Sequence, residues 1–351
     1  MGRFLLVLAL PLAALGQHLG WPGVLVFFLA SLSLLPFSGW MGEATEVLAA
    51  RTTPALGGLL NATFGNAAEL ILAGVALAAG HIEVVKASIT GSILGNILLV
   101  LGLSIFLGGL RYPEQRFSTE SAGHLATLLT LSLVAFALPA LFDLSERIYF
   151  GVANPEGADL RYSLAASGVL IASYFASLGY TLVTHRDLFK GEGPRHAVEG
   201  SPWRAAAVLL FATLGVVAGS ELLVRNLEAA TRALGISPFF VGIVLVPLVG
   251  NAAEHMAAVA FARKNRIDLS VEIAVGSSIQ IALLVAPLLV FLGALLGQPF
   301  DLVFKNPLEL AALTATVLIA NSVLRDGRTR WIEGVFLLGV YALLAFAFFF
   351  V

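Results

Sequence analysis

Gly65-Asn66-Ala67-Ala68-Glu69 and Gly250-Asn251-Ala252-Ala253-Glu254 are one five-residue word written twice, 185 positions apart. Both copies lie inside long apolar runs, where an ionisable side chain costs about 2.5 to 3.5 kcal/mol on insertion scales unless it meets protein, water or an ion. Sliding residues 64–108 onto 249–293 without gaps gives sixteen identities in forty-five positions. They include Gly91-Ser92 on Gly276-Ser277, Leu98-Leu99-Val100 on Leu283-Leu284-Val285 and Phe106-Leu107-Gly108 on Phe291-Leu292-Gly293. Apolar matches are expected in so apolar a chain, so the polar ones carry the inference of a repeat. Buried acids at corresponding places in two halves are the arrangement of a transporter built around a midplane site.

The composition agrees with that environment. Of 351 residues, 58% are hydrophobic and only 12% charged, against roughly 25% charged in soluble domains. With a mean hydropathy of +0.93, the expected class is an all-α polytopic membrane protein whose first partner is the lipid bilayer. A net charge of -2 leaves no basic surface for nucleic acid, and no nucleotide-binding motif is present. The absence of cysteine excludes disulfides and thiolate metal sites. Phe4 to Leu15 has the look of a signal h-region, but only Arg3 precedes it and no cleavage site follows, so it is kept as a span.

Apolar runs of about 20 residues divide the chain into eleven candidate spans. They lie near 3–19, 22–50, 54–79, 83–109, 118–141, 161–184, 203–233, 237–262, 268–296, 307–324 and 331–351. With the N-terminus cytoplasmic and the C-terminus outside, 14 of the 20 basic residues fall in inside loops and 6 in outside ones, as the positive-inside rule requires. The third span then enters from the cytoplasm and its repeat partner, the eighth, from outside. The expected organisation is an extra N-terminal helix (1–20), a five-helix repeat (21–184), a cytoplasmic linker (185–202) and an inverted five-helix repeat (203–351). The mixed charge, Gly and Pro of Gly191-Glu192-Gly193-Pro194 suit such a linker.

Within each word, Asn66 and Glu69, like Asn251 and Glu254, are three residues apart and share a helix face. Pro247 and the glycines at 65 and 250 loosen the local helix, and carbonyls freed at such breaks, Gly65 and Gly250 among them, are candidate cation ligands. The following spans bring Ser92 and Asn96, four apart, and Ser277 and Gln280, three apart. Two carboxylates, amide oxygens and carbonyls form an all-oxygen set suited to a hard divalent cation, Ca²⁺ first, as transported substrate rather than resident cofactor. Its two negative charges match one divalent ion or two protons. Without the metal, two carboxylates in low dielectric repel each other and take up protons, so competition for the same oxygens produces exchange.

The paired words followed by helices containing Gly91-Ser92 and Gly276-Ser277, with Gln280 in GSSIQIALLVAP, resemble the Ca²⁺/H⁺ antiporters of the cation/proton exchanger (CAX) family, within the calcium/cation antiporter superfamily. The resemblance covers essentially the whole chain. It implies eleven helices, in which the long second and seventh spans shift to open one side or the other. Glu69 and Glu254 are then the cation- and proton-binding carboxylates, with Asn66, Asn251, Ser92, Ser277 and Gln280 lining the site. Many members carry a strongly acidic helix between the halves; here Asp187, Glu192 and Glu199 are balanced by Arg186, Lys190 and Arg195. Sodium-exchanging relatives usually place an acid on the helix that carries Asn96 or Gln280, and its absence favours H⁺ as counter-ion over the alternative of Na⁺/Ca²⁺ exchange.

Several acids have structural explanations beside functional ones. Glu43 and Glu46 form a same-face pair near Arg51, with Glu46 in a GEATEVLA run that looks like the family's second-span motif, and both are candidates for a proton path. Glu221 is a third, although Arg225 lies four residues on. His255 points about 100° away from Glu254 around the helix and is expected to pack or to lie at an interface. A channel fits poorly with a compact midplane site, and no GxSxG or HExxH motif supports a hydrolase, so no enzymatic activity is expected. The location expected is a prokaryotic inner membrane, with homo-oligomerisation left open.

Overall fold

A computed structural model of the chain describes residues 2–152, 156–185 and 201–351. Eight helices among them are long and apolar enough to cross a bilayer: Gly23–Ala49, Ile82–Gly109, Thr119–Ile148, Glu156–Thr184, Pro202–Arg225, Ile267–Leu296, Pro307–Leu324 and Trp331–Phe349. Leu227–Leu234 and Pro238–Gly250, bent by 111° at their junction, count as a ninth if taken as one span. The chain is a polytopic helical membrane protein.

Most expected spans appear where the apolar runs lie, and the differences have local causes. The fifth continues from the expected 141 to Ile148, through a turn in which Arg147 donates to Asp143 at 2.9 Å, four residues back. The sixth begins at Glu156 rather than 161. The third is two helices, Pro54–Phe64 and Ala67–Ala78, and the seventh is interrupted at Asn226. There the Asn226 amide donates to Leu222 O at 2.8 Å and to Gln17 Oε1 at 2.6 Å, so a polar side chain offsets the broken ladder. The first span is a short apolar helix, Leu5–His18. Residues 186–200, nearly all of the expected linker, lie outside the described residues.

Positions 185 apart share backbone irregularities as well as residues. The chain breaks at Asn66 and at Asn251, and the backbone turns left-handed at Gly80 (φ 83°) and at Asn265 (φ 61°). π-helical turns run over Gly95–Val100 and Ile281–Val285. A π turn carries one residue more than an α turn and rotates the following side chains, a feature often found at functional sites.

The helices gather into two compact units. One combines residues up to Ser88 with Ser177–Ala253, and the other Ile89–Ala176 with Glu254–Phe350, so each draws on both halves of the sequence. In the first unit Gly23–Ala49 lies along Pro202–Arg225. The approach is close because Gly219 has no side chain: a Cβ there would sit 2.9 Å from Leu34. Phe37 fills the same seam, edge-on to Trp40 and Phe211 at 5.9 and 5.7 Å.

In the second unit Trp331–Phe349 lies along Leu101–Gly109, and a Cβ on Gly334 would come within 2.5 Å of Phe106 N and 2.6 Å of Gly102 O. Two loops of this unit form a short antiparallel ribbon, with Gln115 opposite Thr329 and Arg116 opposite Arg328. Glu114 sits among Arg330 (3.1 Å), Arg116 (3.0 Å) and Arg328 (3.9 Å). Hydrogen bonds from Arg330 and then Arg116 hold its carboxyl below the usual carboxylate range.

Candidate ion-binding site

Both copies of the repeated word sit at a helix interruption. Asn66 (φ -105°, ψ 25°) and Asn251 (φ -94°, ψ 6°) occupy nearly the same sparsely populated bridge conformation. Gly65 N still reaches Asn61 O at 2.7 Å and Asn251 N reaches Pro247 O at 3.0 Å, after which the ladder restarts from Asn66 O to Leu70 N at 3.0 Å. A helix that stops leaves its last carbonyls for other partners, and a helix that starts presents N–H groups and the positive end of its dipole. Glu69 and Glu254 each fall in the first turn of the new helix, where that dipole favours a negative charge.

In the first unit, Asn66 is 2% exposed and Ala67 and Ala68 are buried around it. A Cβ on Gly250 would lie 3.8 Å from Glu69 Cγ and 4.0 Å from its Oε1, so the missing side chain leaves space directly beside the carboxylate. Glu69 Oε2 and Asn251 Oδ1 are buried oxygens.

In the second unit, Ser277 donates to the Glu254 carboxylate. Ser277 Oγ accepts from Asn96 Nδ2 at 3.2 Å, and Asn96 Oδ1 lies 3.2 Å from His255 Nε2. These bonds have one polarity: the imidazole N–H donates to the amide oxygen, the amide N–H to the hydroxyl and the hydroxyl to the carboxylate. The arrangement requires a proton on His255 Nε2. Glu254 Oε2 is buried with no hydrogen-bond partner among the described residues, an acceptor in place for a cation or a proton.

Ser92 is buried on Ile82–Leu94, one turn before the π segment that carries Asn96. Gln280 is the last residue before the second π segment and faces the buried Tyr174 hydroxyl. Glu43 and Glu46 are exposed on the last two turns of Gly23–Ala49. Glu221 is ion-paired with Arg225 at the end of its helix, with both side chains more than half exposed. Asp268, in the first turn of Ile267–Gln280, is paired at 3.0 Å with Arg266, the residue before that helix.

Sequence reasoning paired Asn96 with Ser92 rather than with Ser277 and His255, and expected His255 to pack or to lie at an interface. His255 does point away from Glu254 round its own helix, and that direction brings it to Asn96. Glu309 was not singled out at all: it is 5% exposed and accepts from Thr90 Oγ1 at 2.8 Å. Its only signal was an acid in the first turn of an apolar helix, which capping explains equally well.

Residues 22–183 and 204–350 match the family described as sodium/calcium exchanger protein. The chain belongs to that exchanger family. This exchanger is 45% identical over 358 residues to a Ca²⁺/H⁺ antiporter of Synechocystis sp., covering 97% of this chain and 95% of the relative. It is 41% identical over 353 residues to the Ca²⁺/H⁺ antiporter ChaA of Bacillus subtilis, covering 99% and 98%. Among solved structures it is similar to native YfkE, with a TM-score of 0.86 at 38% identity and full coverage of both chains. The H⁺/Ca²⁺ exchanger CAX, at a TM-score of 0.72 and 18% identity over 99% of this chain and 91% of that one, shares the fold.

Proposed function

We propose that this chain is a secondary active antiporter that exchanges Ca²⁺ for H⁺ across a prokaryotic plasma membrane by alternating access. One observation carries this: near-full-length identity of 41–46% to bacterial Ca²⁺/H⁺ antiporters, joined to a repeated GNAAE word at a helix break in both copies. Membership of an exchanger family supports reading the chain as a transporter rather than an enzyme. Glu69 and Glu254 hold the cation or the protons that replace it. Asn66, Asn251, Ser92, Ser277 and Gln280 supply further oxygens, and the carbonyls of Gly65 and Gly250 complete the set.

The transport cycle follows from charge. A divalent ion cancels two carboxylate charges; when it leaves, the bare pair in low dielectric is unstable and protonates, which returns the carrier near neutrality for the opposite reorientation. The Ser277 hydroxyl favours the ionised, cation-binding state, because its bond to Glu254 is stronger when the carboxylate is ionised. The architecture proposed is an extra N-terminal helix (1–20) and two inverted five-helix repeats (21–184 and 203–351) joined by a linker at 185–202, eleven spans in all, with the N-terminus cytoplasmic and the C-terminus outside. Support comes from the loop charges and from the breaks, left-handed turns and π turns recurring 185 positions apart. Glu43, Glu46 and Glu221 are candidates for a proton path. Flux of ⁴⁵Ca²⁺ into proteoliposomes, with pH and Na⁺ gradients set independently, tests the function. Uptake driven by the pH gradient without Na⁺ is expected, and uptake only with a Na⁺ gradient would replace H⁺ by Na⁺.

A further inference from the structure

Positions 185 apart carry the same word and the same breaks, so places where the chemistry of the two copies differs are informative. The Glu254-bearing helix Ala252–Ala262 has its later turns tied by two side chains from other elements. Ser270 Oγ donates to Ala258 O at 2.6 Å, and Gln115 Nε2 donates to Ala262 O at 2.9 Å and to Asn265 Oδ1 at 3.2 Å. Glu254, Ala258 and Ala262 are spaced by four and share one stripe of the helix. Ser270 is fully buried and Gln115 is 1% exposed.

Both amide protons of Gln115 are committed. The reversed amide would set its oxygen against the Ala262 carbonyl, which has no proton to give, so the orientation is fixed by the partners. Gln115 is itself held by the ribbon to Thr329 and by its seat on Gly108, where no Cβ fits.

The positions related to these by the 185-residue repeat are apolar throughout. Val85 stands for Ser270, Leu77 for Ala262 and Gly80 for Asn265. Phe300 stands for Gln115, seated on Gly293 as Gln115 is seated on Gly108. Ala73 and Val85, the counterparts of Ala258 and Ser270, line a small, mostly apolar cavity together with Leu72, Leu223 and Val246, and with His81 and Ser88. Hydrogen bonds fix the axial position and rotation of a helix, whereas apolar contact in a bilayer is non-directional.

We infer that Gln115 and Ser270 are positioning residues that clamp the helix Ala252–Ala262 and so hold the Glu254 carboxylate in place at the exchange site. This rests on the function proposed above, and the test has a readout that does not depend on transport. Gln115→Met keeps length and volume and removes both donors. In detergent without Ca²⁺, amide exchange over 252–266 is expected to rise above wild type while 67–80 stays unchanged. In proteoliposomes the half-saturating Ca²⁺ concentration is expected to rise about fivefold, because Glu254 is less well positioned once both bonds are lost, with the maximal rate within about twofold. Ser270→Ala provides the same two readouts if Gln115→Met fails to insert. Equal acceleration of exchange in both segments, or an unchanged Ca²⁺ dependence in an active variant, overturns the clamp. Absence of Ca²⁺ flux in the wild type would instead overturn the transport proposal and leave the exchange result standing.

Discussion

Replacing Ser277 with alanine removes one hydroxyl and almost no volume, so its effect reads the hydrogen-bond chain that ends on Glu254 together with the oxygen the same hydroxyl offers the cation. That hydroxyl donates to the carboxylate and accepts from Asn96 at 3.2 Å. A bond to an ionised partner is worth about 1.5 to 3 kcal/mol and a neutral one about 1 kcal/mol, so its loss weakens the ionised, Ca²⁺-binding form by about 0.5 to 2 kcal/mol relative to the protonated form. At fixed pH this corresponds to a half-saturating Ca²⁺ concentration raised about 2- to 30-fold. The assay is initial-rate Ca²⁺ uptake into proteoliposomes over a range of Ca²⁺ at two pH values. The increase should be larger at the lower pH, where protons compete more strongly. Ser277→Thr, which keeps the hydroxyl, should stay nearer wild type. Half-saturation within about 1.5-fold of wild type at both pH values would show that the hydroxyl does not discriminate between charged and protonated Glu254, and the reasoning would fail.

Two further outcomes follow from the second unit. Gly334→Ala places a methyl 2.5 Å from Phe106 N and 2.6 Å from Gly102 O, where only backbone can yield. It should cost about 1 to 3 kcal/mol and lower the apparent melting temperature in detergent, and an unchanged melting curve would refute the packing. Glu114, held below the ordinary carboxylate range by its arginines, stabilises the ribbon at neutral pH, and that contribution should disappear as pH falls through its lowered value, beneath the usual 4.5. Amide exchange over 110–118 should therefore be faster in Glu114→Gln than in wild type at pH 7, with the difference reduced by salt and absent in acid; identical exchange at pH 7 would remove the role.

Much of the architecture was legible because lipid is a strict solvent. An apolar run of about 20 residues has few alternatives to a helix, so Pro307–Leu324 and Ile82–Gly109 begin and end within a residue of where hydropathy places them. The breaks at Asn66 and Asn251 were legible through Gly65, Gly250 and Pro247. The π turns were not: one inserted residue leaves no trace in a run such as Ile281-Ala282-Leu283-Leu284-Val285, where every face is apolar. For the same reason Asn96, read as a regular i, i+4 neighbour of Ser92, was not connected with Ser277 and His255. Gln115 lies between Glu114 and Arg116 in a loop, where the default reading is solvation. That it is buried depends on the ribbon and on Gly108, neither of which the local sequence specifies.

The claim on which the account turns is that Glu69 and Glu254 carry both the cation and the protons. Each is tested by a glutamine that keeps the shape and removes one charge, with ⁴⁵Ca²⁺ flux measured in proteoliposomes under an imposed pH gradient. Glu69→Gln and Glu254→Gln are each expected to insert and purify like wild type and to lose pH-driven Ca²⁺ uptake. Uptake at the wild-type rate in either variant would contradict the account.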